Sequence, residues 1–329
     1  MNPANHLRLD VSFAALMLGA ALIAATPASA QIGKDQQTCI TAMQKAFRRM
    51  DKQVGLQAAS CLKNHAKEKE LSPIPSVDTV YECLADDPRG KIALAAMRID
   101  ADFLRRCTQP LPSFGPTDPW QLQIVSKLAP QGLVTDVWTV DLEPNLPVES
   151  ADLAAASCQR KTWKAITKCE QAKLKEFGRC TRQGLRGAAV PGLIDSASDL
   201  QNLCLGVGAA PQPDPKGKVA RACTDPKRGL QKALDKRCAN QNLTTLFPTC
   251  GTASSAGTAQ CLDREISCRT CMAANASNGL DRDCELFDDG LANASCACGD
   301  GQINAGEDCD DGNNLNGDGC TYDCHVVID

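Results

Sequence analysis

The chain has very few of the side chains on which most enzymes depend. It holds three histidines in 329 residues, and only His65 and His325 lie beyond residue 30. It contains no H-E-x-x-H, no G-x-S-x-G, no phosphate-binding loop and no dinucleotide-binding glycine pattern. We expect His65, which stands among charged residues, to be solvated. These absences argue against the common catalytic classes and predict no nucleotide cofactor.

Aromatic residues are also scarce, at 4% of the chain, so a core would bury less area per residue than usual. The one long apolar run is Val11–Ala25, which follows Arg8 and precedes Ala28-Ser29-Ala30. This order predicts a signal peptide over residues 1–30, cleaved after Ala30. The alternative is a membrane anchor, but the run falls short of the ~20 residues that a span needs. We expect a secreted or periplasmic protein without a transmembrane anchor.

Cysteine is what the chain has in abundance. There are 20 cysteines, and none precedes Cys39. An even number of cysteines in an exported chain predicts a disulfide framework.

Cysteine spacing predicts a duplicated unit. Cys39 and Cys61 are 22 residues apart, as are Cys158 and Cys180. Each pair is followed by Cys-Leu, then by Asp-Pro-x-Gly-Lys at residues 87–91 and 214–218, and finally by a cysteine after two basic residues. We therefore predict two related units at residues 31–107 and 151–249.

Each unit is predicted to be an antiparallel helical hairpin. Apolar residues between Cys39 and Cys61 recur every three or four positions, and the Asp-Pro sequence favours a second helix start. Twenty-two residues put two cysteines on one helix face but ~33 Å apart, too far to bond. A hairpin instead predicts the bonds Cys39–Cys107, Cys61–Cys83, Cys158–Cys238, Cys180–Cys204 and, between the middles of the two helices of the second unit, Cys169–Cys223. Metal ligation is the alternative, but these cysteines are spread along whole helices.

Two segments look like connectors. Residues 108–150 carry seven prolines, and Leu133–Leu142 alternates well enough for a strand. Residues 250–297 hold six cysteines that can pair among themselves: Cys250, Cys261, Cys268, Cys271, Cys284 and Cys296.

The C-x-x-C sequence at Cys268 and Cys271 has several interpretations. A thioredoxin-like redox pair needs a βαβ setting, a haem site needs histidine where Met272 stands, and a zinc site needs a second close pair. Ordinary disulfides fit better. An exported enzyme of thiol-disulfide or unrecognised hydrolytic type remains the alternative to a non-catalytic protein.

The segment that starts the second unit is strongly basic. A nucleic-acid or anionic surface is one interpretation, and the solvated face of an amphipathic helix is the other. Glu170 and Glu176 interrupt the run and aromatics are few, so we expect no nucleic acid partner. The basic residues are Arg160, Lys161, Lys164, Lys168, Lys173, Lys175, Arg179 and Arg182.

Residues 298–329 form an acidic module that cannot build a hydrophobic core. Residues 298–324 contain four cysteines, seven acidic residues and six glycines. We expect Cys298, Cys309, Cys320 and Cys324 to pair among themselves. Clustered oxygen ligands on a glycine-bent backbone suit Ca²⁺, and residues 314–319 loosely match a calcium loop. The candidate ligands are Asp300, Glu307, Asp310, Asp311, Asn314, Asn316 and Asp318.

The order Cys298-Gly-Asp-Gly, Gly306-Glu-Asp-Cys309-Asp-Asp-Gly-Asn313, Gly317-Asp-Gly-Cys320 and Cys324 resembles the Myxococcus-type cysteine-rich repeat. The resemblance covers 27 residues and implies an exported protein, with no assigned activity. The sequence thus predicts a mainly α protein of two stapled hairpins and an irregular C-terminal module. We expect an exported, non-catalytic binding or structural protein that binds an unidentified protein or surface.

Overall fold

The computed structural model describes residues 32–73, 77–139, 142–206, 213–288, 296 and 309. In these residues the secondary structure is helical and no β-strand occurs. The α-helices in chain order are α1 (Lys34–Ala66), α2 (Val80–Ala85), α3 (Lys91–Arg106), α4 (Pro119–Trp138), α5 (Leu153–Gly184), α6 (Ala197–Cys204), α7 (Lys218–Ala222), α8 (Leu230–Arg237), α9 (Leu243–Leu246), α10 (Ser255–Asn278) and α11 (Cys284–Asp288). A short 3₁₀ turn covers Glu143–Asn145.

The first unit is a hairpin in which the long helix α1 packs against α2 and α3. Cys39 near the start of α1 bonds Cys107 just after α3, and Cys61 near the end of α1 bonds Cys83 in α2. Bonds at both ends make α1 and α3 antiparallel, with Ile99 of α3 fully buried between them. These two bonds are those that the hairpin argument predicts.

The second unit repeats this plan with one extra bond. Cys158–Cys238 closes the open end, Cys180–Cys204 closes the turn end, and Cys169–Cys223 joins the middle. The three bonds match the predicted pairs. Their cysteines lie on the buried side of α5 because the spacings of 11 and 22 residues return to the same helix face.

The Asp-Pro-x-Gly-Lys motif has the same local structure in both units. The Asp87 carboxylate accepts bonds from the backbone N–H groups of Lys91 and Ala93, and the Asp214 carboxylate accepts them from Lys218 and Ala220. Gly90 and Gly217 both take a left-handed conformation just before the helix, at φ of 60° and 58°. The two units therefore share local backbone geometry at this motif as well as sequence.

The second helix of the second unit is broken, which the sequence argument missed. α7 ends at Ala222, and Cys223 caps it rather than lying inside a longer helix. The Asp225 carboxylate accepts a bond from the N–H of Lys227, and the Asp225 carbonyl accepts another from the N–H of Gly229. A second Asp-Pro sequence, at residues 225–226, therefore starts a turn before α8.

The strand predicted over Leu133–Leu142 is wrong. Leu133–Trp138 is the last part of α4, which starts at an Asp118 cap with proline in its first turn. Leu122, Leu133 and Trp138 are almost completely buried, so the supposed connector contributes a core helix. Residues 140–141 lie outside the described ranges.

The cysteine-dense segment likewise contains a core helix. α10 packs against α4, α5, α8 and α11, and its N-cap Ser254 accepts a bond from the N–H of Gly257. In the same core, the ring of Trp138 lies 5.7 Å from that of Trp163 and 6.1 Å from that of Phe247. Side chains from α1, α4, α5 and α10 therefore share a core. None of the helices in the described ranges is long and apolar enough to span a bilayer.

Candidate functional site

The cysteine-dense segment closes its bonds within itself. Cys250 bonds Cys261, Cys268 bonds Cys296, and Cys271 bonds Cys284. The two cysteines of the C-x-x-C therefore belong to different disulfides and do not form the vicinal pair of a redox motif. Cys309 is also disulfide-bonded.

Two groups of cysteine and carboxylate side chains come close enough to suggest a metal site, but their chemistry does not fit one. Cys169 and Cys223 lie near Asp263, and Cys250 and Cys261 lie near Glu265. All four cysteines are in disulfides, so they have no thiolate to offer a metal.

The predicted calcium ligands fall outside the residues that the structure describes. The calcium site stays a prediction from the sequence. The residues concerned are Asp300, Glu307, Asp310, Asp311, Asn314, Asn316 and Asp318.

The basic helix α5 is only partly a solvated face, so that interpretation needs correction. Lys173 is buried and lies 3.1 Å from Asp263 and 2.9 Å from the Ser267 hydroxyl, both on α10. Glu176 is buried against Arg179, with Lys218 of α7 at 3.7 Å. Several charges of the run therefore hold neighbouring helices together.

His65 is also not simply solvated. Its ring is half-buried, and Nε2 lies 3.0 Å from the carbonyl oxygen of Leu146. The contact joins the end of α1 to the segment after α4, a structural role that the charged neighbours did not reveal.

Two buried carboxyl groups meet where α1 crosses α5. Asp51 and Glu170 are 0% and 3% exposed, and each lies twelve residues after the first cysteine of its unit. The Gln171 amide donates to Asp51 Oδ1, while Asp51 Oδ2 has no hydrogen-bond partner. Burial raises the pKa of Asp51 to about 8, against the opposing effects of Gln171 and Arg48. Burial, then the charge of Asp51, raises the pKa of Glu170 well above its usual range.

The outer face of α3 exposes large apolar side chains. Ile92, Ala95 and Ile99 face the core, whereas Leu94, Met97 and Leu104 on the opposite side are 46%, 66% and 80% exposed. These three residues, with exposed Ala101 between them, form a stripe with steps of three and four residues.

Trp120 extends this stripe onto α4. It is 70% exposed, whereas Trp138 and Trp163 are buried. The Gln123 amide of α4 donates to the Asp100 carboxylate of α3 at 2.7 Å. Trp120 lies one turn before Gln123, and Leu104 lies one turn after Asp100, so both flank this bond. We call Leu94, Met97, Ala101, Leu104 and Trp120 the apolar stripe.

A basic stripe runs beside the apolar one on α3. Lys91, Arg98 and Arg105 are exposed and seven residues apart, which places them along one line of the helix. Arg105 pairs with Asp102 at 2.5 Å, and Asp102 also lies 3.7 Å from Arg49 of α1. The outer face of α3 is therefore apolar toward α4 and basic toward α1.

The second unit has charged residues at two of the positions where the first has the apolar stripe. Arg221 stands at the same distance from its Asp-Pro sequence as Leu94 does, and Asp235 stands three residues before Cys238, as Leu104 does before Cys107. The repeated scaffold therefore folds without apolar side chains at these positions.

No protein-family model matches the chain, and neither a curated protein nor a solved structure matches it. The candidate surface thus comes from the chain's own geometry. The sequence analysis did not predict this surface. Comparison of the two units would have indicated it, because Leu94 in the first unit corresponds to Arg221 in the second.

Proposed function

We propose that this protein is an exported, non-catalytic binding protein whose stapled helical scaffold presents the outer face of α3 to a protein partner. The proposal rests on the apolar stripe, which includes the exposed Trp120. Exposed apolar patches that the fold does not require often mark interaction sites. Trp, Met and Arg are also the residues enriched at protein interfaces. The eight disulfides between cysteines that the structure describes support a secreted or periplasmic location.

Charge indicates the chemistry of the partner. An apolar stripe beside a basic one fits an amphipathic segment with apolar and acidic faces. Two copies of this face would complement each other poorly. In one orientation the two basic stripes face each other, and in the opposite orientation each basic stripe faces an apolar stripe. The carboxylates of Asp100 and Asp118 border the apolar stripe near Trp120, which disfavours a uniformly anionic surface such as lipid.

Fluorescence of the exported full chain tests this surface. The probe is a synthetic amphipathic helix with leucine on one face and glutamate on the other. We expect it to shift Trp120 emission to the blue and protect it from quenching, and Trp120→Phe removes that signal. Met97→Glu and Leu104→Glu each weaken binding at least about tenfold, because a charge enters the apolar centre.

The matched control is Thr224→Glu, which introduces the same charge at the exposed position in the second unit that corresponds to Met97 and leaves binding unchanged. A lysine-faced version of the peptide binds weakly. Equal protection by the lysine peptide or by phosphatidylglycerol vesicles contradicts an acidic protein partner. If both glutamate variants bind the peptide as well as the wild type does, the outer face of α3 is not the binding surface.

We also propose that the C-terminal module binds Ca²⁺ through acidic residues such as Asp310 and Asp318. Calcium then protects the module against proteolysis, and chelation restores cleavage, because ion binding favours the folded state. Asp310→Asn with Asp318→Asn abolishes the protection. Identical digestion patterns with calcium and with chelator contradict the site.

A further inference from the structure

The two buried carboxyls occupy matching places in the repeat. Asp51 of α1 and Glu170 of α5 stand at the same distance from the first cysteine of their units. The helices pass each other antiparallel: Gln44 bonds Thr181 at one end, Gln171 bonds Asp51 in the middle, and Gly55 faces Thr167 at the other end. Asp51 and Glu170 thus lie at the centre of a pseudo-twofold contact between the repeats.

A glycine from each helix lies in this contact. A Cβ atom added to Gly55 would lie 3.6 Å from Thr167 Cγ2, and one added to Gly178 would lie 3.7 Å from Gln44 Oε1. Each helix therefore contributes a glycine to the contact. Because both carboxyl side chains are almost completely buried, water is largely excluded from them, and two full negative charges there would repel each other with little screening.

The charged groups that act on the pair come from the same two helices. Arg48 of α1 acts on Asp51, Asp51 acts on Glu170, and Arg182 of α5 acts on Arg48. The acidic groups of the other helices packed against α1 and α5 have partners elsewhere: Asp102 of α3 with Arg49, Asp136 of α4 with Arg269, and Asp263 of α10 with Lys173. With one proton on the pair, its remaining charge balances that of Arg48.

We propose that Asp51 and Glu170 form a proton-binding site at the contact between the two repeats, holding α1 and α5 together when protonated and loosening them when both carboxyls ionise. The proton is held on one of the two buried carboxyl groups, and ionisation releases it to solvent. No other reactant is needed. The contact is thereby strengthened in acid and weakened in alkali.

The sign follows from linkage. The pKa of Asp51 is 3.8 in the unfolded reference and about 8 in the fold, so the folded state binds the extra proton. Stability from this group is full below about pH 4, falls as pH rises, and is lost above about pH 8. Asp51→Asn, which keeps a neutral side chain at all pH values, removes this part of the pH dependence.

The experiment compares thermal melting of the full chain from about pH 4 to pH 9. We expect Asp51→Asn and Glu170→Gln to match the wild type in acid and to melt at higher temperature in alkali. The control is Glu176→Gln, a buried carboxylate of α5 that is paired with Arg179 and Lys218. It loses stability, because the substitution removes one partner of a buried ion pair.

Infrared spectroscopy of the wild type gives a readout that does not depend on how the variants fold. A protonated-carboxyl band persists at neutral pH, disappears in alkali, and is missing from the double variant Asp51→Asn with Glu170→Gln, because burial alone still raises the pKa of Glu170 in the single variant. Absence of that band at neutral pH overturns the proposal, as does destabilisation by Asp51→Asn in alkali. Stabilisation of the wild type but not of Asp51→Asn by added Ca²⁺ in alkali also overturns it, because the site then binds a metal ion.

Discussion

Replacing Asp136 with asparagine lowers the free energy of unfolding by about 3–5 kcal/mol, the range for breaking a buried ion pair. Arg269 of α10 donates through Nε to Asp136 Oδ2 at 2.5 Å and through Nη2 to Oδ1 at 2.7 Å. Burial lowers the pKa of Arg269, but the charge and hydrogen bonds of Asp136 outweigh that effect and raise it. The asparagine removes the carboxylate that accepts both hydrogen bonds from the buried guanidinium, and Glu265 remains as another negative charge acting on it.

Gly132→Ala tests the same pair from the backbone side. A Cβ atom at this position would lie 2.6 Å from the Arg269 guanidinium carbon and 2.7 Å and 2.9 Å from two of its nitrogens. The guanidinium must therefore move away from Asp136, and we expect a loss of about 2–4 kcal/mol.

The control for both variants is Gly178→Ala, another helix-interior glycine. Its added Cβ meets Gln44 Oε1 at an ordinary 3.7 Å, so helix propensity raises stability by up to about 1 kcal/mol. Urea unfolding measures all three variants. If Gly132→Ala is as stable as Gly178→Ala, the described guanidinium position is wrong.

Asp136→Leu with Arg269→Met is expected to recover most of the stability lost in Asp136→Asn, since an apolar pair of similar size can replace a buried ion pair.

The hairpin disulfides were predictable because cysteine spacing and helix geometry constrain each other. On a rigid helix, Cys39 and Cys61 share a face but cannot meet, so each needs a partner on a returning helix. Cys169–Cys223 follows by the same reasoning, and the break before α8 does not disturb it because Cys223 lies at the end of α7.

Helix α4 escaped prediction because two local signals conflict with its long-range packing. Pro130 stands inside the helix, and Leu133-Val-Thr-Asp-Val alternates like a strand. Tertiary contacts decide the outcome, because Leu133, Val134 and Val137 are completely buried only if they wind as a helix against the rest of the core.

The buried charges were missed for a related reason. Glu170 stands in a basic run, and charge runs usually mark solvated faces. Its burial depends on α5 being covered by α1 on one side and by α10 on another, and the sequence of α5 alone does not specify both neighbours. When the two units are aligned on their first cysteines, Asp51 and Glu170 occupy the same position. Comparing the two repeats within the chain could therefore have identified this pair.

Removing the outer disulfide of the first unit, as Cys39→Ala with Cys107→Ala, is expected to cost about 4 kcal/mol by the loop-entropy relation. The bond closes a loop of 68 residues, and the intact Cys61–Cys83 bond shortens that loop only partly. The control is Cys250→Ala with Cys261→Ala, which opens a loop of 11 residues between similarly buried cysteines and costs about 3 kcal/mol.

Removing both bonds of the first unit at once has the largest effect. The loop terms together reach about 7 kcal/mol, within the roughly 5–15 kcal/mol that separates folded from unfolded domains. We therefore expect the four-alanine variant to lose its cooperative urea transition, while each two-alanine variant keeps one at a lower midpoint. If opening the 11-residue loop costs more than opening the 68-residue one, constraint of the unfolded chain is not what these bonds contribute. Their value would then lie in holding α1 against α3 in the native state.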